Sequence, residues 1–182
     1  VPARVRGNSM IQGYRVEFER SFDHIEKTLD QIDEDQHTIV LGEDGNSISV
    51  ILRHLIGNLK SRFTGFLTED GEKPWRDRDS EFEPSSLGKE KMRLEMREAR
   101  ALVMNELGKL GEGDLKRQVS IRGESLTVHE ALMRSAAHVA FHAGQVVFLG
   151  KTHLGRKWKT LSIPRGQSST YHRNPNLEKG LR

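Results

Sequence analysis

His138 and His142 stand one helical turn apart in an otherwise apolar run, positions 136–150, where Gln145 is the only other clearly polar side chain. Unpaired polar groups are costly to bury in such surroundings. Two imidazoles on one side of a helix are explained together if both ligate a single metal ion through ring nitrogens. Pairs at this spacing are ordinary on helix surfaces, so it is the apolar setting that points to a ligand pair. The chain has no cysteine. A disulfide framework, a thiolate ligand and a cysteine nucleophile are thereby excluded, and any metal must be held by nitrogen and oxygen. A zincin-type protease is excluded as well, because Val139 follows His138 where that motif places its glutamate base.

A third ligand must come from elsewhere. At about 100° per residue, His142 lies about 40° from His138, whereas His129 falls about 180° away on the opposite side of the same helix. His24 follows Asp23 on a charged face, and His37, His153 and His172 fall in or near loops. His54 sits inside Ile-Leu-Arg-His-Leu-Ile-Gly-Asn-Leu (51–59), at the edge of an apolar stripe, with Asn58 and Ser61 in its sector. It reads either as the third ligand or as a hydrogen-bonded core histidine, and Asn58 as a cavity group or a buried amide. On the other helix Thr127, Ala131, Ser135 and Gln145 share the sector of the pair, and small neighbours leave room for a cavity.

Four helices must position these rings. Ile11, Phe18, Phe22, Ile25, Leu29 and Ile32 recur at threes and fours and predict an amphipathic helix over 11–32. Turn residues at 41–47 lead into a second stripe, Ile48, Leu52, Leu55, Leu59, Phe63 and Phe66, predicting helix two over 47–67. Residues 68–87 are polar and broken, and read as a long crossover loop carrying Trp75 and Phe82; loops of this length are often functional. Helix three starts near Leu87 with Met92, Met96, Ala99, Val103 and Leu110 on one side. The alternation over 118–128 around Arg122-Gly123-Glu124 predicts a short hairpin, after which Thr127 opens helix four to about Lys151. The expected fold is an all-α four-helix bundle with an irregular C-terminal tail.

A chain of 182 residues is most simply one domain. Residues 1–9 read as a linker ahead of a native start at Met10, 10–153 as the bundle and 154–182 as a basic tail on or near it. From Lys151 onward eight Lys or Arg face one acid, Glu178, so the net +3 hides a negative remainder. Solvated charge explains such a tail more simply than nucleic-acid binding, since its aromatics are only Trp158 and Tyr171 and it holds no nucleic-acid motif. With no apolar run of membrane-span length and no signal-peptide core, a cytoplasmic protein that does not engage a membrane is the default expectation.

Several segments together resemble a known superfamily. A histidine in helix two and a helix-four pair running into His-Ala-Gly-Gln-Val (142–146) resemble the DinB/YfiT-like four-helix-bundle proteins, whose metal is held by three histidines. Gly-Asn-Ser-Ile-Ser (45–49), Arg-His-Leu-Ile-Gly-Asn-Leu (53–59), the stretch 70–82, Val-Ser-Ile-Arg-Gly-Glu (119–124) and the stretch 158–168 resemble an uncharacterised subfamily of that group. The resemblance runs from Met10 to Tyr171. It implies His54, His138 and His142 as metal ligands and a homodimer, and it does not imply DNA repair. Characterised relatives include metal-dependent transferases and isomerases that use thiols such as bacillithiol or mycothiol, while others are labelled hydrolases.

Three neutral imidazoles leave a divalent cation its full charge and at least one open position. Such a cation lowers the pKa of bound water toward about 7 or deprotonates a coordinated thiol. Zinc or nickel are the first candidates and iron a further one, imidazole being a ligand to all of them. The leading expectation is transfer of a low-molecular-weight thiol to an electrophilic small molecule, with Arg62, Arg76, Arg78 or the basic tail as candidates to hold the thiol's carboxylates and Asn58 and Gln145 as further cofactor-binding candidates. Each arginine at such a position is more often a surface or structural charge. A metal-dependent hydrolase is the alternative, short of a general base unless Asp77, Asp79 or Glu81 approaches from the loop. A non-catalytic bundle that binds a metal or small anion is the third reading.

Overall fold

The computed structural model describes residues 9–84 and 87–173. Residues 1–8 of the expected linker 1–9 and the end of the tail at 174–182 lie outside the described residues. Four helices carry the fold: α1 (Met10–Leu29), α2 (Ile48–Phe63), α3 (Lys89–Lys109) and α4 (Val128–Leu154), with α1 lying along α4 and α2 along α3. The periodic stripes meet in the middle. Phe18, Ile25, Leu29, Leu52, Leu55, Leu59, Phe63, Met92, Val103, Leu132 and Val139 are all fully or almost fully buried there, and such burial is the main source of stability in a bundle.

Helix starts follow their side chains. The Ser9 hydroxyl accepts from Gln12 N, and Ser47 does the same for Val50 N at 3.3 Å. Thr127 forms a capping box with Glu130 while also ending strand β2 (Glu124–Thr127), which pairs antiparallel with β1 (Gln118–Ile121). The hairpin therefore feeds directly into α4. Its turn needs positive φ at both central residues, supplied by Arg122 at 57° and Gly123 at 75°.

The expected irregular tail needs correction. Helix α4 continues to Leu154 before Gly155, at φ 53°, ends it, and a short helix α5 (Ser168–Arg173) follows a turn closed by Gln167 N and Pro164 O. No glycine or proline interrupts 167–173, so nothing there opposes a helical turn. Helix two also ends four residues before the expected 67, Thr64 being extended and Gly65 at φ 59°. Among the described residues no helix is long and apolar enough to cross a membrane.

The crossover between α2 and α3 is polar in sequence yet fastened at several points between residues 70 and 83. The Asp70 carboxylate accepts from Arg122 N at 2.8 Å, Gly123 N at 2.9 Å, Glu72 N at 2.7 Å and the Ser120 hydroxyl. Those donors hold the Asp70 carboxyl far below the usual carboxylate range, the Ser120 hydroxyl contributing most. Ser61 Oγ donates to Gly71 O at 2.7 Å, and Arg53 donates to the carbonyls of Ser80 and Glu83, both at 2.6 Å. A 3-10 turn at Asp79–Phe82 is thereby pressed against α2. Charged side chains that look solvent-facing in sequence, Lys73 and Glu81, are buried there.

Candidate metal centre

Helix α2 delivers His54, and α4 delivers His138 and His142 from the same side, so the three rings meet between the two helices. His54 Nε2 lies 3.3 Å from His138 Nε2, and His142 Nε2 lies 3.0 Å from the same atom. One ligand atom from each ring falls within 4.8 Å of the others. Imidazole nitrogens about 2.0–2.1 Å from a tetrahedral cation sit about 3.3 Å apart, close to the two separations measured from His138 Nε2.

The outward nitrogens decide what the inward ones are. His54 Nδ1 donates to Glu81 Oε2 at 2.9 Å, and His142 Nδ1 donates to Gln145 Oε1 at 2.8 Å. Both inward Nε2 atoms then carry lone pairs aimed at His138 Nε2. A proton on that atom can satisfy one of them at most, and the buried His138 Nδ1 has no hydrogen-bond partner in either tautomer. Protein atoms alone leave the cluster unsatisfied. A cation accepting all three lone pairs resolves the conflict at the inward nitrogens, so the donor set fits a divalent metal. Burial lowers the pKa of all three rings, that of His138 to about 4 with His142 and His54 adding to the effect. The rings are therefore neutral, as ligands must be.

The crossover loop supplies the outer shell. Arg76 grips Glu81 through two bonds, Nε to Oε1 at 2.8 Å and Nη2 to Oε2 at 2.9 Å, and Glu81 in turn holds His54. With both oxygens engaged, Glu81 orients His54 rather than serving as a free base. Gly57 makes this approach possible. A Cβ built there would overlap the Glu81 carboxylate, its Cδ lying 2.8 Å away. Phe82 packs against His54, ring centroids 5.0 Å apart, and Phe141 against His142 at 5.2 Å.

A cavity of about 270 Å³ opens beside the rings, with His54 and His138 in its wall. Asn58, Arg62, Arg76 and Arg78, all singled out from the sequence, line it. Gln145 does not; it faces the back of His142. Ser61 is taken up by the crossover, and His129 faces Tyr14, whose hydroxyl lies 2.8 Å from its Nδ1. His37 is taken up by the backbone carbonyls of Glu34 and Leu87. Sequence reasoning missed the pairing of Arg76 with Glu81, and it missed Arg122 and Arg134, which also line the cavity. Two signals were present: Gly57 interrupts an apolar helical run, which marks a close approach, and Arg134 stands four residues before His138.

Fold and site together define a helical bundle with a three-histidine group able to hold a metal between two of its helices. A family model described as a protein of unknown function (DUF1572) matches residues 6–167, and the chain belongs to that family. No curated protein matches. Among solved structures, the conserved protein of locus from Enterococcus faecalis shares the fold with a TM-score of 0.64 at 16% identity, over 79% of this chain and 96% of that one. A mutant of the mycothiol-dependent maleylpyruvate isomerase is similar with a TM-score of 0.61 at 14% identity, over 75% of this chain and 60% of that one. This likeness is one of fold, a mostly helical bundle.

Proposed function

We propose that the protein is a metal-dependent enzyme that transfers a low-molecular-weight thiol to an electrophilic small molecule, with His54, His138 and His142 as its ligands. The observation that carries this reading is the convergence of three neutral Nε2 atoms beside a cavity. A fold shared with a mycothiol-dependent isomerase supports it. A divalent ion in this setting stabilises a thiolate near neutral pH, and the chain, lacking cysteine, must receive the thiol from outside. Zinc or nickel suit three imidazoles, and iron is the further candidate.

The chain's own residues do the rest. Glu81, held by Arg76, fixes the tautomer and orientation of His54, and Gln145 does so for His142. Phe82 and Phe141 shield two of the rings, and the cavity leaves one side of the cluster open to a small molecule. The test is a thiol-transfer assay on protein loaded with zinc or nickel, using mycothiol and bacillithiol against a broad electrophile panel. Turnover lost in His138→Ala supports the reading; inactivity across the panel overturns it.

The functional unit we propose is a homodimer of bundles spanning 10–153, with the described part of the tail, 154–173, lying on or near its own bundle. Gln31, which accepts from Lys159 N at 2.7 Å and donates to Lys159 O at 3.1 Å, supports the tail's placement. Met133, Phe141 and Phe148 are 54%, 62% and 65% exposed on α4, with Ala137 and Gly144 between them. An apolar stripe on one helix can cover itself in a second copy through a two-fold axis, and Phe141 would carry that contact to the flank of the metal centre.

A further inference from the structure

Five arginines, Arg62, Arg76, Arg78, Arg122 and Arg134, line the cavity next to the histidines. They come from α2, the crossover, the hairpin turn and α4, so the fold gathers them from four separate elements. Among the described residues two carboxylates pair with them. Glu72 lies 3.2 Å from Arg62 and 2.9 Å from Arg122, and Glu81 is engaged by Arg76. Among the described residues no carboxylate pairs with Arg78 or Arg134, both exposed at the rim.

The floor of the cavity carries a second, independent sign. The Arg76 side chain is only 2% exposed, and its Nη1 is buried without a hydrogen-bond partner, the nearest Glu72 oxygen being 4.0 Å away. A buried guanidinium N–H left unpaired is costly, and an acceptor in the cavity would relieve it. Beside it Arg62 is also buried, with its pKa lowered chiefly by desolvation, while Glu72 opposes the shift. Guanidinium groups bind carboxylate and phosphate oxygens through paired N–H donors, and a small concave site concentrates their field.

We infer that this cavity binds the carboxylate or phosphate group of the substrate that meets the metal centre. The anion would sit between buried Arg62 and Arg76 below and Arg78 and Arg134 above, taking up Arg76 Nη1–H. Since His54 and His138 form one wall of the same cavity, the reacting atom of that substrate is separated from its anionic group by a short linker. Neutral electrophiles would lack this anchor. The link to a reacting atom rests on the functional reading above; the anion site itself does not.

The test is calorimetric titration of the full chain, metal-free and metal-loaded, with inorganic phosphate and with succinate. Variants are Arg78→Gln with Arg134→Gln, which touch no ion pair, and Arg156→Gln as a remote control. The expected result is saturable binding of at least one anion in both forms of the protein, weakened about tenfold or more by the rim double variant and unchanged by the control. Phosphate alone identifies a phosphate group, succinate alone a carboxylate. Absence of binding by either anion, or equal binding by the double variant, overturns the inference. Because binding is read without turnover, anion affinity with no thiol transfer sinks only the functional reading. Thiol transfer to neutral electrophiles with no anion affinity sinks only the anion site.

Discussion

At the residue scale the account turns on protons. Each ring nitrogen that faces away from the cluster determines what the opposite nitrogen offers, and Glu81 and Gln145 leave His54 and His142 with lone pairs pointing inward. Outer partners of this kind typically change metal affinity about 10- to 100-fold when removed, so Glu81→Gln should weaken metal binding by that order. Gly57→Ala should do the same by displacing the Glu81 carboxylate, although alanine favours the helix itself. Competition with a chromophoric chelator, read beside circular dichroism, checks both; weakened binding with unchanged helicity is expected. The pKa of His138, lowered from 6.5 to about 4, has its own consequence. Between those values the unfolded chain binds more protons than the folded one, so the metal-free protein loses stability as pH falls from about 6.5 toward about 4. Its thermal midpoint should drop across that window, and His138→Gln should flatten the slope.

At the scale of elements, the helices were legible because their cores repeat at threes and fours. Helical geometry alone put His138 and His142 on one face and rejected His129, whereas His54 read equally as a core histidine until the family resemblance implied the set of three. The crossover was not legible, since its contacts obey no period. Arg76, Glu81 and Asp70 act across chain separations of up to 53 residues, and charged loop residues look solvated until a partner is known. Asp70 shows how much the crossover depends on such contacts. It ties the loop to the hairpin that starts α4, so Asp70→Ala should cost about 1–3 kcal/mol and loosen both segments, measurable by denaturant unfolding and amide exchange. Because the Asp70 pKa is lowered, that stabilisation is present above the ordinary carboxylate range and is lost as pH falls through its folded-state value. An unchanged midpoint in the variant would show that the helices, not this carboxylate, hold the crossover in place.

At the scale of the whole molecule, two surface features bear on function: the arginine-lined cavity and the apolar stripe of α4. For the stripe, light scattering should give a dimer mass that falls to a monomer in Phe141→Lys with Phe148→Lys, substitutions at exposed positions that spare the core. A wild-type chain that is already monomeric would remove the second copy from the account. The three rings come from α2 and α4, so a bound cation would tie two helices together and stabilise the bundle by mass action.

The most direct measurement is metal stoichiometry, by elemental analysis of protein purified without added metal and then titrated with zinc or nickel. The wild-type chain should hold one ion per chain with a raised thermal midpoint, while His54→Ala, His138→Ala and His142→Ala, each folded by circular dichroism, should not retain it. A wild-type chain that stays metal-free through titration, or holds metal equally well in all three variants, would contradict the three-histidine centre on which the account rests.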